Sequence, residues 1–353
     1  MKYVYWLLVF IPITLAARFV LHMNDGIVFW LCCLGIVPLA AVLGDATEQI
    51  SMYTGPKVGG FLNATMGNVP ELLISGFAVK AGMFSLVLAS LAGSILGNLL
   101  LVMGMSIFVG GMKFKFLPFN KNITHNNLTL LGFAVFSIVV PFFFKLSSGE
   151  SDGGESMSKF SLALAIIMVV LYSLGLIFSL VTHRDIFQDE DGDDEGEEAK
   201  WTLRKGVIVL TIAAALVALM SEILVSTVEG AAEQYGLGEA FVGIILIPIL
   251  GNVAEHAAAI IMAYKGKINI SIEIAVGSSM QIALFVTPLM VIWSAMIGPT
   301  MEYVFTPMEL MGIIVSVVLV GTVFMDLKVN WLEGAELVAA YIILGAAFLM
   351  FGI

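Results

Sequence analysis

Long apolar stretches, separated by short polar segments, follow one another along the whole chain. Eleven of them reach the length of a membrane-spanning helix, which needs about 20 mostly apolar residues. They lie roughly at 3–22, 27–50, 57–79, 83–110, 127–146, 158–182, 203–228, 239–264, 268–297, 304–325 and 333–353. The pattern predicts an all-α polytopic membrane protein with eleven transmembrane helices.

Composition supports the same class. The 353 residues are 59% hydrophobic and 12% charged, which is too apolar for a soluble chain of this length. We therefore expect the lipid bilayer as a partner, and no nucleic acid. Leu15-Ala16-Ala17 also suits a signal-peptide cleavage site, but Pro12 and Arg18 suit an uncleaved helix, so we expect a retained first span.

One short motif occurs at equivalent places in two of the apolar stretches. Gly67-Asn68-Val69-Pro70-Glu71 returns as Gly251-Asn252-Val253-Ala254-Glu255, an offset of 184 residues that Gly93-Ser94 and Gly277-Ser278 share. A carboxylate inside a membrane span is costly, and its default interpretation is functional. The repeat predicts an ion site built from both copies, as in secondary transporters.

The repeat also predicts the domain organisation. We expect an N-terminal transmembrane helix over 1–26, a first five-helix repeat over 27–182, a cytoplasmic acidic linker over 183–200 and a second five-helix repeat over 201–353. The two motifs lie five membrane crossings apart, so they run through the bilayer in opposite directions. This spacing predicts two inverted repeats with the site near the midplane.

The paired motifs provide a defined set of ligands. Asn68 and Glu71 are three residues apart, which predicts one shared helix face, and the same holds for Asn252 and Glu255. A proline near each motif frees backbone carbonyls in the preceding turn. Carboxylate, carboxamide and carbonyl oxygens are the ligands that calcium prefers. We predict that these four side chains bind one divalent cation and that the two carboxylates take up protons when the cation leaves.

Other polar side chains within the spans extend the predicted proton and cation path. They are Ser94, Asn98, His256, Ser278 and Gln281. They either complete the ion shell or form hydrogen bonds between helices. Nitrogen is a poor calcium ligand, so we expect His256 to have a proton-relay or gating role, or to be a hydrogen-bonded structural histidine. Gly93 and Gly97, four residues apart, predict close helix packing.

An acidic segment separates the two halves. Nine acidic residues and no basic residue lie between Asp185 and Glu198, and they account for most of the net charge of −11. The candidate regulatory residues are Asp189, Glu190, Asp191, Asp193, Asp194, Glu195, Glu197 and Glu198. The segment lacks the glycine and the length of an EF-hand loop. A solvated linker and a weak regulatory cation-binding segment both remain open.

Lysine and arginine positions predict the orientation. Twelve of the 16 basic residues lie on the side of the N-terminus and of the loops after even-numbered spans, and four lie on the other side. Basic residues accumulate on the cytoplasmic side of a membrane. We therefore expect the N-terminus and the acidic linker in the cytoplasm.

The paired Gly-Asn-x-x-Glu motifs, the histidine after the second glutamate and the acidic segment between the halves resemble the calcium/proton exchangers of the calcium/cation antiporter superfamily. The resemblance implies export of cytosolic calcium in exchange for protons, with Glu71 and Glu255 as the cation and proton sites. The residues around them would be Asn68, Asn252, Ser278 and Gln281. The resemblance also implies a homo-oligomer, often a trimer, and the short N-terminus favours a plasma-membrane protein. No cofactor is expected beyond the transported calcium and protons. Pro70 departs from the family pattern, in which a small or branched apolar residue is expected.

Alternative functions make different demands on the sequence. A sodium/calcium exchanger or another divalent cation/proton antiporter would share the fold, but two matched carboxylates favour protons over sodium as counter-ions. An ion channel predicts a continuous polar pore face. An intramembrane enzyme predicts a metal-binding histidine pair or paired catalytic aspartates within the spans, and the sequence has neither. We therefore predict a secondary antiporter and not an enzyme.

Overall fold

The computed structural model describes residues 4–148, 154–183 and 199–351, and within these ranges the chain is almost entirely helical. The first half, after a 3-10 turn at Val4–Val9, contains α1 (Phe10–Phe19), α2 (Asp25–Met66), α3 (Val69–Lys80), α4 (Phe84–Leu96), α5 (Met103–Lys113), α6 (Lys121–Ser148) and α7 (Glu155–Ile177). The second half contains α8 (Leu203–Tyr235), α9 (Glu239–Phe241), α10 (Ile247–Gly251), α11 (Val253–Tyr264), α12 (Ile268–Gln281), α13 (Thr287–Ile297), α14 (Pro307–Val323) and α15 (Trp331–Phe351). Two short strands, β1 (Leu117–Pro118) and β2 (Lys328–Val329), pair antiparallel.

The helices confirm a polytopic membrane protein. Among the described residues, seven helices are long and apolar enough to cross a bilayer, and the bent pair Glu239–Gly251 and Val253–Tyr264 would be an eighth. The predicted spans at 3–22 and 304–325 correspond to the shorter apolar helices Val4–Phe19 and Pro307–Val323. The predicted span at 57–79 is divided between the end of α2 and α3. The count of eleven stays a prediction.

The helix bounds repeat along the chain at the same offset as the motif. Adding 184 to α3 gives the bounds of α11, and adding it to α5 gives those of α13. Shifted in the same way, α4 matches α12 to within one residue at its end. The two halves therefore share local structure well beyond the pentapeptide.

The chain divides into two compact units, and the first consists of Met1–Ile74, Leu171–Tyr235 and Leu250–Ala254. Its centre is the packing of α2 along α8. Gly35 faces the end of the Met220 side chain, and Gly206 faces Ile50, so the two helices approach closely at positions that lack a side chain. Arg18 pairs with Asp25 at 2.9 Å at one end of this unit.

The second unit consists of Ser75–Val170, Gly236–Ile249 and Glu255–Ile353. In this unit α5 packs along α15, where a side chain at Gly334 would collide with the backbone at Phe108. Three connecting segments meet at one end of this unit. β1 pairs with β2, and the ammonium group of Lys113 donates a 2.9 Å hydrogen bond to the carbonyl oxygen of Tyr264.

Segments with a wider helical turn, the π-helix, interrupt several of the helices. They lie at Gly97–Val102, Phe178–Thr182, Val242–Leu246 and Ile282–Val286. Pro248 and Pro288 each follow two residues after such a segment. A proline lacks the N–H that an ordinary helical turn requires, and local π adjustments accommodate that loss.

Candidate functional site

The first motif lies where one helix stops and another starts. Gly67 and Asn68 form a turn between α2 and α3, and the Leu72 N–H donates to the Asn68 carbonyl oxygen at 2.9 Å. This is the first bond of α3, so Asn68 is its N-cap residue and Glu71 lies in its first turn. Pro70 is the second residue of the helix, where its missing N–H costs nothing.

The second motif repeats this arrangement. Asn252 forms the turn between α10 and α11. The bent pair Glu239–Gly251 and Val253–Tyr264 makes an angle of 60° at this turn, and Glu255 lies in the first turn of α11. The expectation of one shared helix face therefore needs correction, because both asparagines precede their helices. An asparagine followed three residues later by glutamate has the spacing of a helix N-terminus, a signal that identifies the break. The positive end of each helix dipole favours the glutamate carboxylate.

Parts of both motifs meet within the first compact unit. Asn68, Glu71 and Asn252 are buried there. A Cβ atom built on Gly251 would lie 3.6 Å from Oε1 of Glu71, so the second motif reaches the carboxylate of the first. The glycine leaves the space beside this carboxylate open. The contact joins residues that are 180 positions apart in the sequence.

Three predicted residues form a hydrogen-bonded chain within the second unit. The Asn98 side-chain amide donates to Oγ of Ser278 at 3.0 Å, and Ser278 is in turn hydrogen-bonded to the carboxylate of Glu255. A serine hydroxyl has one proton, so the Ser278 hydroxyl donates to Glu255 while its oxygen accepts from Asn98. The other carboxylate oxygen, Oε2 of Glu255, is buried and has no hydrogen-bond partner among the described residues.

A buried carboxylate oxygen without a protein partner has a defined chemistry. It is costly to leave unsatisfied, and a proton or a cation would each remove that cost. Within the described ranges, no group of three or more His, Cys, Asp or Glu side chains lies close enough to hold a metal ion. A cation would therefore depend on asparagine, serine and backbone oxygens beside the glutamates.

The remaining predicted path residues have different surroundings. Ser94 is buried in α4, and Gln281 ends α12 in a half-buried position. Nε2 of His256 is buried without a hydrogen-bond partner in the described part of the chain. Both interpretations of His256, as a proton relay or gate and as a hydrogen-bonded structural histidine, stay predictions. The eight acidic candidates from Asp189 to Glu198 lie outside the described residues.

Gly93, in α4, and Gly97, the first residue of the Gly97–Val102 segment, differ in their packing. A Cβ atom at Gly93 would collide with the carbonyl group of Ile244, so α4 and the Val242–Leu246 segment touch through their backbones. Among the described residues, no atom outside the helical turn of Gly97 itself lies within 4 Å of a Cβ built on it. The predicted close packing is confirmed at Gly93 and wrong at Gly97, because only a Cβ at Gly93 would meet a neighbouring segment among the described residues.

Comparison with known proteins gives a consistent result. The sodium/calcium exchanger protein family matches residues 26–181 and 205–350. The chain is 45% identical to the Ca(2+)/H(+) antiporter ChaA of Bacillus subtilis over 94% of either chain. It is 39% identical to the Ca(2+)/H(+) antiporter of Aphanothece halophytica, covering 97% of this chain and 95% of that protein.

Solved structures give the same family. The structure of native YfkE superimposes with a TM-score of 0.85 at 40% identity, over 98% of this chain and 99% of that one. The H+/Ca2+ exchanger CAX shares the fold, with a TM-score of 0.77 over 99% of this chain and 92% of that one, at 15% identity. The chain therefore belongs to the sodium/calcium exchanger protein family and, within it, to the calcium/proton exchanger type of calcium/cation antiporter.

Proposed function

We propose that this protein is a membrane antiporter that exchanges calcium for protons and exports cytosolic calcium. The observation that carries the proposal is the 45% identity over 94% of the chain with a protein named as a Ca(2+)/H(+) antiporter. The geometry agrees, because two helix breaks each place one glutamate in the first turn of a new helix. A transporter of this kind moves ions and is not an enzyme.

The exchange chemistry follows from two carboxylates that hold either cargo. We infer that Glu71 and Glu255, with Asn68 and Asn252, bind calcium as the transported ion. Two carboxylates match one divalent charge, and the open space beside Gly251 and the unpartnered Oε2 of Glu255 leave room for a ligand at each. When protons occupy the carboxylates, their charge and their affinity for calcium are lost. Competition for shared oxygens, with alternating access, is sufficient for antiport.

The path residues have supporting roles in this proposal. Ser278 orients the carboxylate of Glu255, and Asn98 fixes Ser278 in turn. His256, beside Glu255 in sequence, would exchange protons with the path through its buried Nε2. Ser94 and Gln281 would complete the polar lining.

We further propose eleven spans arranged as one helix and two inverted five-helix repeats, in the plasma membrane, with a cytoplasmic N-terminus and acidic linker. The matching bounds of α3 and α11 support the repeats, as does the match of one family to two stretches of the chain. The three connecting segments that meet at one end of the second unit carry lysines. This arrangement supports a cytoplasmic location for all three segments. A homo-oligomer and regulation by the acidic linker remain predictions.

Calcium uptake into proteoliposomes tests the function. We expect uptake that requires a proton gradient, does not respond to a sodium gradient and is abolished in Glu255→Gln. Glu239→Gln, at the exposed start of α9, is the matched control and should keep the wild-type rate. Sodium-driven uptake would instead assign the protein to the sodium/calcium exchangers, and no calcium flux under either gradient would refute the calcium assignment.

A further inference from the structure

The segment 298–306, which we name the strap, connects α13 to α14 without regular secondary structure. Loops normally run over the surface, because a buried loop must find partners for its backbone polar groups. The strap is different, since Met301 and Tyr303 are fully buried and Phe305 is 1% exposed. From Met301 to Phe305, every second side chain of the strap is therefore buried in the second unit.

Side chains from several helices fix the strap. The Met301 N–H donates to Oγ of Ser294 at 2.7 Å, and the Tyr303 N–H donates to Oγ of Ser161 at 3.0 Å. At the edge, Lys145 and Glu302 form an ion pair of 2.8 Å. The strap is thus held in one position by α6, α7 and α13.

The hydroxyl of Tyr303 reaches the backbone of a different segment. It donates to the carbonyl oxygen of Ala283 at 3.1 Å, inside the π-helical segment Ile282–Val286. In an ordinary helix this carbonyl would accept from the Thr287 N–H, but that N–H donates to Ile282 instead. In a π-helix it would accept from residue 288, which is a proline without an N–H. The Tyr303 hydroxyl supplies the donor that the helix lacks.

The other repeat provides an internal comparison. At an offset of 184 residues, the position equivalent to Pro288 is Gly104, and the position equivalent to Tyr303 is Phe119. Gly104 keeps a backbone N–H, and Phe119 is a buried ring without a hydroxyl. The proline and the hydroxyl occur together in one repeat and are both missing from the other, as expected if the hydroxyl compensates for the proline.

The capped carbonyl is close in sequence to the site. The π-helical segment continues α12 without a break, and the last turn of α12 carries Ser278 and Gln281. We propose that Tyr303 is a positioning residue for ion exchange, whose hydroxyl satisfies the Ala283 carbonyl and so fixes the end of α12 that orients Glu255. The inference rests on the proposed calcium/proton exchange for its functional consequence.

A double-mutant cycle tests the inference. Tyr303→Phe removes only the hydroxyl. We expect the KM for calcium in proteoliposomes to rise about five- to tenfold, which is the factor that corresponds to the free energy of one buried hydrogen bond. Pro288→Ala alone should change KM by less than about twofold, because the hydroxyl bond remains. In the double variant, the new N–H of residue 288 replaces the hydroxyl, and KM should return to within about twofold of wild type. Tyr341→Phe is the matched control, because it removes a buried hydroxyl that has no hydrogen-bond partner among the described residues, and it should leave KM within about twofold of wild type.

A second measurement does not depend on transport. In the purified protein, amide hydrogen exchange over 282–291 should be faster in Tyr303→Phe and return towards wild type in the double variant. If wild-type protein carries no calcium, the proposed function fails while this measurement still decides the role of Tyr303. Unchanged KM and unchanged exchange in Tyr303→Phe would overturn the inference, as would a double variant as impaired as Tyr303→Phe. Should Tyr303→Phe fail to fold, recovery of folding by Pro288→Ala supports the inference and its absence refutes it.

Discussion

At the residue scale, the hydroxyl of Ser278 joins Glu255 on α11 to Asn98 in the Gly97–Val102 segment. Ser278→Ala should raise the KM for calcium about five- to tenfold, because one buried hydrogen bond contributes about 1 kcal/mol and Glu255 loses its orienting donor. Ser279→Ala is the matched control. The Ser279 hydroxyl donates to the Ala275 carbonyl of its own helix at 2.8 Å, and its loss should leave KM within about twofold of wild type.

Equal effects of the two serine substitutions would contradict this role for Ser278. Kinetics of calcium uptake in proteoliposomes, with thermal unfolding of each purified variant, separate an effect on the site from an effect on folding. A rise in KM without a change in unfolding temperature is the expected result for Ser278→Ala.

The space beside Glu71 gives a second prediction at this scale. A methyl group at Gly251 would stand 3.6 Å from the Glu71 carboxylate, an ordinary contact, so Gly251→Ala should retain most of the transport rate. Gly251→Val places branched carbons where a ligand would approach, and overpacking of this kind costs about 1–3 kcal/mol. We expect calcium uptake to fall about tenfold or more in Gly251→Val. Equal rates in the two variants would show that this space is not used.

The two glutamates that we propose as the ion site can be identified from the sequence, but their surroundings cannot. Glu71 and Glu255 stand out because a repeated carboxylate within apolar sequence requires an explanation. That Asn68 is an N-cap residue also follows from local spacing. The contact of Gly251 with Glu71 and the bond from Asn98 to Ser278 join residues about 180 positions apart, and no local pattern encodes such pairs.

At the element scale, the contrast between Gly93 and Gly97 predicts a difference in stability. A methyl group at Gly93 would overlap the Ile244 carbonyl, so Gly93→Ala must force α4 and the Val242–Leu246 segment apart. Overpacking of this kind destabilises by about 1–3 kcal/mol or more. Gly97→Ala meets open space and should change the free energy of unfolding by less than about 1 kcal/mol, in the stabilising direction. Thermal unfolding of both variants in the same detergent is the measurement, and equal unfolding temperatures would contradict the observed packing.

Helix breaks and helix widening differ in how far the sequence predicts them. The breaks at Asn68 and Asn252 follow from glycine, asparagine and proline, which are poor helix formers or helix starters. The Ile282–Val286 segment is harder to predict, because Pro288 indicates only that a donor is missing. Its replacement comes from Tyr303, which reaches Ala283 through the tertiary fold. The sequence therefore indicates where a helix is weak but not what supports it.

At the scale of the whole molecule, each compact unit takes segments from both halves of the sequence. Hydropathy predicts the order of the apolar stretches, because it is a local property of the chain, whereas the count of eleven spans stays a prediction. The grouping into units depends on which helices contact each other, for example α2 and α8. The predicted repeat boundaries at 182 and 201 do not indicate these contacts. The boundary between the two units falls within the second motif, between Ala254 and Glu255. The sequence does not predict this boundary either, because it also depends on contacts between helices.

The predicted orientation can be tested with single cysteines placed in the segments that follow α5 and α13. Position 115 follows the fourth predicted span and position 299 follows the ninth, so five crossings separate them and they should face opposite sides of the membrane. Both positions are exposed. Cys32 and Cys33 are buried, and replacing both by alanine removes any background labelling. The lysines near position 115 predict that this position faces the cytoplasm.

With a membrane-impermeant maleimide, Pro299→Cys should react in intact cells, whereas Lys115→Cys should react only after permeabilisation. Labelling of both positions from the same side would require an even number of crossings between them and would refute the inverted-repeat topology. Reversed labelling would keep the repeats but invert the protein. In that case the lysine-bearing segments would lie outside the cell, and the direction of calcium export would have to be derived anew, because it depends on which side each cargo is released to.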